Sequence, residues 1–444
     1  MGEHTSSTLL RFATAGSVDD GKSTLVGRLL HDSKAILADQ FEQVARTSRE
    51  RGFGGDAGGF DFALLTDGLR AEREQGITID VAYRYFSTGR RSFILADCPG
   101  HVQYTRNMVT GATTADVVVL LIDARKGVLE QTRRHLSVVQ LLRVPNVIVA
   151  VNKIDLQGYD AAAYAAVAAE VLEVTRELGL PGVHVIPVSA LEGDNVVDRS
   201  PNTPWYDGPA LLELLETLPT VDEIESSLEA FRLDVQLVLR PQGALAPDVA
   251  AQPGAEDRFR DYRAFAGQVS SGTVRVGDEV AVFPGGATTT VVAIDTADGP
   301  LDEARAPQSV SLRLADELDA ARGAVIAASG TLPAGRREID AELFQLDARP
   351  LAPGARVLVK FGTATVQALV AAVEGRRNLD TLATEPADRL DANDIGRVTL
   401  RLAAELPFED YAVHRRSGAF LVIHPQDGAT LAAGTHSPAR ASAA

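Results

Sequence analysis

The stretch that decides the fold of this chain is Gly16-Ser17-Val18-Asp19-Asp20-Gly21-Lys22-Ser23, followed by Thr24. It matches G-x-x-x-x-G-K-[ST], a loop whose backbone N–H groups converge on nucleotide phosphates. The apolar residues 9–15 predict a strand before the loop, and residues 23–30 predict a helix after it. A glycine-rich turn that joins a strand to a helix predicts an anion site at the helix N-terminus.

Two lysines occupy positions where a guanine-nucleotide site needs one, although the chain has only 5 lysines among 444 residues. Lys22 ends the phosphate loop, where its ammonium contributes charge to the β- and γ-phosphates, and Ser23 is a predicted Mg²⁺ ligand. Lys153 belongs to the run Asn152-Lys153-Ile154-Asp155 after the apolar residues 147–151. The Asp155 carboxylate can accept from the N1–H and amino group of guanine, a donor pair that adenine lacks. We therefore expect GTP as the nucleotide.

Further polar motifs follow predicted strands. After residues 93–96 comes the run Asp97-Cys98-Pro99-Gly100-His101. Asp97 is expected to hold Mg²⁺ through water, Gly100 to offer its N–H to the γ-phosphate, and His101 to orient the attacking water. Cys98 is expected to be a small packed residue, because no activating base stands beside it. After residues 183–188 comes Ser189-Ala190-Leu191, a candidate backbone donor to the guanine oxygen.

A switch segment is predicted around Glu74-Gln75-Gly76-Ile77-Thr78-Ile79. Thr78 on a mobile segment can complete the Mg²⁺ coordination only while the γ-phosphate is present, which makes the segment sensitive to the nucleotide. The catalytic set expected from the sequence is therefore Lys22, Thr78 and His101, with Asp19 added by the resemblance described below.

Composition limits the classes of partner and location. The net charge of −17 and the absence of a Lys/Arg block argue against DNA or RNA as a partner. Cys98 is the single cysteine, which excludes an internal disulfide framework and suits a reducing compartment. We see no basic segment followed by an apolar run at the N-terminus, and the apolar runs 117–122 and 147–151 are strand-sized. We therefore expect a cytoplasmic protein that has no membrane partner.

The predicted fold is an α/β phosphate-loop GTPase domain, with a mostly parallel sheet covered by helices on both faces, followed by two small antiparallel β-barrels. Near-continuous apolar strands in residues 9–220 favour the parallel sheet. Beyond residue 230 the apolar residues alternate with period two, as in half-buried barrel strands. We expect domains at 1–222, 230–331 and 336–434, a mobile hairpin insertion at about 241–261, and a flexible tail at 435–444.

These motifs in this order resemble the translation-factor class of GTPases, most closely the GTPase subunit of bacterial sulfate adenylyltransferase (ATP sulfurylase). The whole class shares the motifs quoted above. The stretches that resemble the sulfate enzyme more specifically are residues 31–34, 64–69 with 72–86, and 103–108. Residues 417–420 also resemble this family, and residues 203–208 fit it although eukaryotic-type elongation factors have a similar stretch. Cys98 stands where this family usually has Thr, and the insertion looks longer than the family's usual hairpin.

The resemblance implies a smaller catalytic subunit as partner, which transfers AMP from ATP to sulfate. The reaction gives adenosine 5′-phosphosulfate and pyrophosphate, and the family couples it to GTP hydrolysis on the larger subunit. The resemblance also implies that Val18 and Ile77 form an apolar gate in front of His101, and that Asp19 lies near a monovalent cation. Because only Lys22 is preceded by Gly, the sequence contains no second phosphate loop of this type, and we expect no fused adenylylsulfate kinase.

Two alternative functions follow from the same motifs. A translation GTPase that delivers aminoacyl-tRNA would need a basic RNA-binding surface on the barrels, which the composition disfavours. A GTP-binding scaffold without catalysis would tolerate loss of His101, Thr78 or Lys22, and all three are present.

Overall fold

The computed structural model of the chain describes residues 8–33, 62, 81–99, 105–180, 182–241, 244–251, 253–379, 381 and 383–438. The chain divides into two compact units. The first comprises Met1–Thr220 and Asn378–Ala383, and the second comprises Val221–Arg377 and Thr384–Ala444. Within the described ranges, no helix combines the length and apolar character needed to cross a membrane.

The first unit is built on one six-stranded sheet. Its strands are β1 (Leu9–Gly16), β2 (Ala82–Ser87), β3 (Ser92–Asp97), β4 (Val117–Asp123), β5 (Asn146–Asn152) and β6 (Val183–Pro187). Their order across the sheet is β2-β3-β1-β4-β5-β6. All neighbours pair in parallel except β2, which runs antiparallel to β3 at the edge.

Helices connect these strands. They are α1 (Lys22–Asp32), α2 (Thr105–Thr113), α3 (Glu130–Leu141), α4 (Ala161–Glu177) and α5 (Leu211–Thr217), with a short 3₁₀ helix at Ile154–Gln157. Every residue of β4 and of β5 is buried, which explains their continuous apolar sequences, because a parallel strand in a covered sheet has no solvent face. Leu25 and Leu29 of α1 pack with β-strand residues such as Phe12 in the core.

The second unit begins with α6 (Val221–Leu228) and contains two closed barrels. The strands of the first barrel region are β7 (Arg232–Leu239), β8 (Ala264–Ser271), β9 (Thr273–Arg275), β10 (Glu279–Phe283), β11 (Ala287–Thr296), β12 (Gly299–Leu301), β13 (Glu303–Arg305), β14 (Ser309–Leu314) and β15 (Val325–Ala328). The order β10-β15-β7-β8-β14-β11 closes when β11 pairs back to β10. Closure leaves those six strands without a free edge.

The second barrel contains β16 (Arg336–Gln345), β17 (Arg356–Phe361), β18 (Ala364–Arg377), β19 (Thr384–Glu385), β20 (Ile395–Leu406), β21 (Ala419–Ile423) and β22 (Thr430–His436), with a short helix at Arg415–Gly418. The order β17-β21-β22-β16-β20-β18 closes through pairing of β17 with β18. Each barrel has its own apolar core. The predicted fold class, an α/β domain followed by two antiparallel barrels, is thus confirmed.

The structure adds detail to one prediction about an irregular segment and contradicts another. The insertion at 241–261 connects β7 and β8, which pair antiparallel, and it contains two short helices, α7 (Pro247–Ala250) and α8 (Ala255–Arg260). Pro247 lies in the first turn of α7, where a missing N–H costs nothing. The predicted tail begins too early, because Thr435 and His436 are buried in β22 and His436 pairs with Ala341 of β16.

The buried guanidinium of Arg91 ties the antiparallel edge of the first unit to the end of α5. Arg91 is 6% exposed, and its Nη1 donates to the carbonyl oxygens of Leu215 (3.2 Å) and Leu218 (2.6 Å). Its Nε donates to Thr8 Oγ1 at 2.8 Å. The last carbonyls of a helix lack partners within the helix, so these bonds satisfy groups that would otherwise be buried unpaired.

We predict that Arg91→Met lowers the free energy of unfolding of this unit by about 2–3 kcal/mol, because it leaves buried carbonyl oxygens without donors. The neighbouring Arg90, with a side chain 72% exposed and 3.4 Å from Glu216, is the matched control. Arg90→Met should change the free energy of unfolding by less than about 0.5 kcal/mol. Urea titration followed by the fluorescence of Trp205 measures both, and equal effects of the two variants would contradict the assignment.

Candidate functional site

The carboxyl ends of the parallel strands bring the predicted site residues to one edge of the sheet. β1 ends at Gly16, β3 at Asp97, β4 at Asp123 and β5 at Asn152. The registers align these ends, because Thr14 lies opposite Asp97 and Asp123 lies opposite Asn152. Ligands of open α/β sheets bind outside this edge. The described motif residues that end these strands, although far apart in sequence, therefore lie at one edge of the sheet.

The phosphate loop has a backbone that requires glycine. Gly21 has φ +92°, and a Cβ there would lie 2.4 Å from Asn152 Nδ2. Gly16 has φ +147°, and a Cβ there would lie 2.9 Å from the carbonyl oxygen of Leu121. Both conformation and space exclude a side chain at these positions. Asp19 adopts φ +67°, which is unusual for a residue with a side chain.

Lys22 is held inside the loop. It is 7% exposed, and its Nζ donates to the carbonyl oxygens of Gly16 (2.9 Å) and Ser17 (3.0 Å). Burial lowers the pKa of Lys22, and the negative charges of Asp97 and Asp20 oppose that shift. Asp97 is thus the carboxylate that acts most strongly on the loop lysine. Ser23 and Thr24 follow in the first turn of α1, and both are half-buried.

Asp20 stabilises the phosphate loop by a hydrogen bond between two of its own residues. Its carboxylate is 2% exposed and accepts from the backbone N–H of Ser17 at 2.7 Å. Burial raises the pKa of Asp20, and the Ser17 hydrogen bond works against that rise. Asp20 Oδ1 and Ser17 Oγ are buried without a hydrogen-bond partner among the described residues. Val18 is half-buried and Asp19 is exposed, so these two loop side chains face outward more than Asp20 does.

Asn152 joins three segments of the site. Its Nδ2 donates to the carbonyl oxygen of Asp20 at 2.7 Å, and its Oδ1 accepts from the backbone N–H of Ala190 at 2.9 Å. Asn152 is 1% exposed, so both bonds are shielded from water. The next residue, Lys153, donates from Nζ to the carbonyl oxygen of Asp19. The run that starts at Asn152 therefore holds the phosphate loop through two consecutive carbonyl groups.

The predicted guanine-reading residues lie beside this junction. Asp155 is half-buried in the 3₁₀ helix Ile154–Gln157. Ser189 and Ala190 are buried, whereas Leu191 is 47% exposed. The carbonyl oxygen of Leu191 accepts from Arg28 Nη1 at 2.9 Å, which ties this loop to α1.

Asp97, Cys98 and Pro99 are buried at the end of β3. Asp97 Oδ1 accepts from Thr14 Oγ1 at 2.7 Å, which fixes the orientation of the carboxylate. Cys98 is fully buried, and burial raises the pKa of its thiol far above the ordinary value, so the residue is a packed side chain as predicted. The other predicted residues, Gly100, His101, Ile77 and Thr78, lie outside the described residues.

The residues present fit a magnesium ion. Ser23 is the second residue of α1, next to Lys22, and the charge of Asp97 acts on that same lysine, so a hydroxyl and a carboxylate stand beside the phosphate loop. Oxygen ligands of this kind suit Mg²⁺, which keeps several waters and takes its remaining ligands from substrate phosphates. Within the described ranges no group of three or more His, Cys, Asp or Glu side chains is arranged to hold a metal by itself.

Sequence reasoning missed two residues that organise the site. Asp123 is fully buried at the end of β4, and its Oδ2 lies 3.1 Å from Lys153 Nζ. Arg28 anchors the loop around Leu191 from α1. The only signal for Asp123 in the sequence is its position directly after a buried strand, which it shares with Asp97.

We predict that Gly21→Ala weakens binding of fluorescently labelled GDP by about 100-fold or more, because the added Cβ displaces the Asn152 amide and strains the loop. Gly158→Ala is the matched control, since Gly158 has φ +63° but a Cβ added there would meet no atom within 4 Å. This control should cost about 1 kcal/mol of stability from backbone strain and leave the affinity unchanged. Similar losses of affinity in both variants would show that strain alone, and not contact with Asn152, explains the glycine.

Family models match both ends of the chain. Residues 7–225 match the elongation factor Tu GTP binding domain, and residues 338–436 match the GTP-eEF1A C-terminal domain-like model. The solved structure of sup35 complexed with GDP aligns over 97% of this chain and 94% of that chain, with 22% identity and a TM-score of 0.42.

Curated relatives are similar over almost the whole chain. Sulfate adenylyltransferase subunit 1 of Methylorubrum populi is 48% identical over 431 residues, which cover 97% of this chain and 87% of that protein. The bifunctional enzyme CysN/CysC of Mycobacterium tuberculosis H37Rv is 47% identical over 429 residues, which cover 96% of this chain. The chain spans 67% of the length of that bifunctional relative. The chain belongs to the sulfate adenylyltransferase subunit 1 family, within the translation-factor GTPase superfamily.

Proposed function

We propose that this chain is the GTP-hydrolysing subunit of a sulfate adenylyltransferase, in which GTP turnover drives formation of adenosine 5′-phosphosulfate. The observation that carries the nucleotide part is the junction at Asn152, which bonds the phosphate loop at Asp20 and the loop at Ala190 at the same time. The loop assigned to the phosphates and the loop assigned to the base are thereby held together by one side chain, as a site for a single nucleotide requires.

The phosphate end of the nucleotide is assigned to the loop 16–21 and to the start of α1. The N–H groups of this loop and of Lys22, Ser23 and Thr24 supply the donors, and the Lys22 ammonium supplies the charge. A bound triphosphate would compete for that ammonium with the carbonyl oxygens of Gly16 and Ser17, and the charge-assisted bonds to phosphate are the stronger ones. Magnesium, held by Ser23 and, through water, by Asp97, would neutralise part of the phosphate charge.

The base end is assigned to Asp155 and to the backbone of Ser189, Ala190 and Leu191. A carboxylate pairs with the N1–H and amino donors of guanine, and a backbone N–H pairs with its oxygen. The wrong base would leave these groups buried and unpaired, which is why such sites discriminate strongly. Lys153 and Asn152 complete the pocket by holding the phosphate loop beside it.

Catalysis is assigned to residues that include some outside the described part of the chain. His101 would orient the attacking water behind the gate of Val18 and Ile77, Thr78 would join the magnesium coordination in the triphosphate state, and Gly100 would donate to the γ-phosphate. Asp19, which is exposed on the loop, would lie near a monovalent cation. These roles rest on the resemblance of the motifs.

The energetic logic of coupling follows from the chemistry of the products. Transfer of AMP from ATP to sulfate releases pyrophosphate and forms a phosphate–sulfate mixed anhydride, which is a high-energy bond, so the transfer is unfavourable alone. Hydrolysis of GTP to GDP and phosphate is favourable and can offset it if both occur in one assembly. The partner is therefore a smaller adenylyl-transferring subunit, as the name "subunit 1" of the relatives suggests. A cytoplasmic location fits, because ATP and GTP are both supplied there.

We predict that Asp155→Asn shifts the ratio of affinities for xanthosine triphosphate (XTP) and GTP by about 100-fold or more toward XTP. The carboxylate oxygen that accepts from the guanine amino group is replaced by an amide group that can donate to the xanthine oxygen. The control is Asp160→Asn, five residues further along. Asp160 caps α4 by accepting from the N–H of Ala162 at 2.9 Å, a role that Asn fills equally well. Competition binding with labelled GDP measures the ratios, and an unchanged ratio for Asp155→Asn would remove Asp155 as the base reader.

We predict that GTP turnover rises when the small subunit, ATP and sulfate are all present, and that adenosine 5′-phosphosulfate accumulates beyond its uncoupled equilibrium level. Phosphate release and adenosine 5′-phosphosulfate are measured in the same sample, with each component omitted in turn, and Lys22→Ala should abolish both increases. Acceleration by aminoacyl-tRNA and ribosomes, with none by the small subunit, would instead support the elongation-factor alternative.

A further inference from the structure

Asp123 carries a buried charge that the phosphate and base assignments do not use. It ends β4 and is fully buried. Arg125 donates to both of its carboxylate oxygens, from Nε to Oδ1 at 3.0 Å and from Nη2 to Oδ2 at 2.6 Å. The backbone N–H of Arg125 donates to Oδ1 at 3.0 Å. Burying a carboxylate costs desolvation free energy unless donors of this kind surround it, so we expect Asp123 to have a specific role.

A second cation reaches the same carboxylate. Lys153 Nζ lies 3.1 Å from Asp123 Oδ2 and also donates to the carbonyl oxygen of Asp19 in the phosphate loop. The Lys153 side chain is 23% exposed, so it is partly buried beside the fully buried Asp123. Two of the three N–H donors of this ammonium are thus engaged, one by a fixed charge and one by the loop.

The backbone on both sides of this contact is in an unfavourable conformation. Lys153 has φ +63° and Asp19 has φ +67°, although neither is glycine. Such conformations persist only where the surroundings hold them. The Lys153 ammonium contacts both the Asp123 carboxylate and the Asp19 carbonyl oxygen, and these contacts hold Lys153 and Asp19 in place.

We propose that Asp123 is a positioning residue for guanine-nucleotide binding, which fixes the Lys153 ammonium so that the base-reading segment 152–155 and the phosphate loop stay together around the nucleotide. The inference rests on the nucleotide site proposed above. Because Asp123 and the Asp19 carbonyl oxygen already hold its ammonium, the Lys153 side chain is ordered before the nucleotide binds. Nucleotide binding therefore does not have to offset the entropy lost on ordering it. Loss of the Asp123 charge should therefore act on nucleotide release.

The ionisation of Asp123 supports this role at neutral pH. Burial by itself would raise the pKa of Asp123, but the hydrogen bonds from Arg125 and from Lys153 outweigh it and hold the pKa well below the ordinary value. Asp123 is therefore charged whenever the protein is folded near neutral pH.

The competing explanation is that Asp123 merely shapes the turn after β4. Its backbone carbonyl oxygen accepts from the N–H groups of Lys126 (2.9 Å) and Gly127 (3.1 Å), and its side chain accepts from Arg125. A structural role of this kind would not depend on Lys153. The two explanations therefore differ in whether substitutions of Asp123 and Lys153 act independently.

The test is the dissociation rate of fluorescently labelled GDP from the full chain after addition of excess unlabelled GDP. Asp123→Asn and Lys153→Met should each accelerate dissociation by about tenfold or more, as expected for loss of a charge-assisted hydrogen bond. The double variant should dissociate no more than about twofold faster than Lys153→Met alone, because the two residues act through one contact. Dissociation is first order, so its rate constant does not depend on how much of a variant is folded, and only folded chains release labelled GDP.

Two controls separate positioning from turn formation. Asp116→Asn, directly before the other end of β4, alters another buried carboxylate, which accepts from the backbone N–H of Arg11 at 2.7 Å, and its dissociation rate should match the wild type. Arg125→Ala removes the turn contact but leaves the Lys153 contact, and its rate should stay within about twofold of wild type. If Asp123→Asn does not fold, Asp123→Glu, which keeps the charge but displaces it, is measured in the wild-type and Lys153→Met backgrounds with the same expected pattern.

Several results would overturn the inference. One is an unchanged dissociation rate in Asp123→Asn. Another is a double variant whose acceleration equals the product of the two single accelerations, as for independent residues. The third is an acceleration by Arg125→Ala equal to that of Asp123→Asn. A wild-type chain that takes up no labelled GDP would instead refute the nucleotide site itself, so the two failures are distinguishable.

Discussion

A loop that turns its N–H groups toward an anion turns its carbonyl oxygens away, and those oxygens need donors elsewhere. In this chain the donors are Asn152 for the Asp20 carbonyl and Lys153 for the Asp19 carbonyl. The run proposed to read the base therefore also completes the hydrogen bonding of the loop proposed to bind the phosphates. This shared requirement joins segments more than 130 residues apart in sequence, and the rest of the site depends on it.

The parallel sheet makes that junction possible. Strands buried on both faces bring their carboxyl ends to a common edge, and the residue that ends each strand is held by the register of its neighbours. Two of those residues are carboxylates in different surroundings. The charge of Asp97 acts on Lys22 and its carboxylate is oriented by Thr14, whereas Asp123 is neutralised by Arg125 and Lys153. One edge thus supplies two carboxylates, one beside Lys22 that we propose for the magnesium side and one that we propose stabilises the segment 152–155.

The sequence predicted what depends on fixed spacing and local pattern. The phosphate loop, Asp97 and the run from Asn152 to Asp155 were identifiable because their chemistry needs particular residue types at set positions. Asp123 was not, because a lone carboxylate after an apolar strand has no companion at fixed spacing. The strand at Thr435 and His436 was missed because its composition resembles a loop and its stability comes from pairing with β16, almost a hundred residues earlier. The two short helices within the insertion at 241–261 were not predicted, because the Pro and Gly at their starts are also typical of loops.

The central claim is that the junction of the phosphate loop with the run at Asn152 forms a pocket for one guanine nucleotide. Titration of the purified chain with labelled GDP and labelled ADP, in the presence of magnesium, tests it most directly. We expect saturable uptake of one GDP per chain and no uptake of ADP at the same concentrations. Equal uptake of the two nucleotides, or uptake of neither, would contradict the claim.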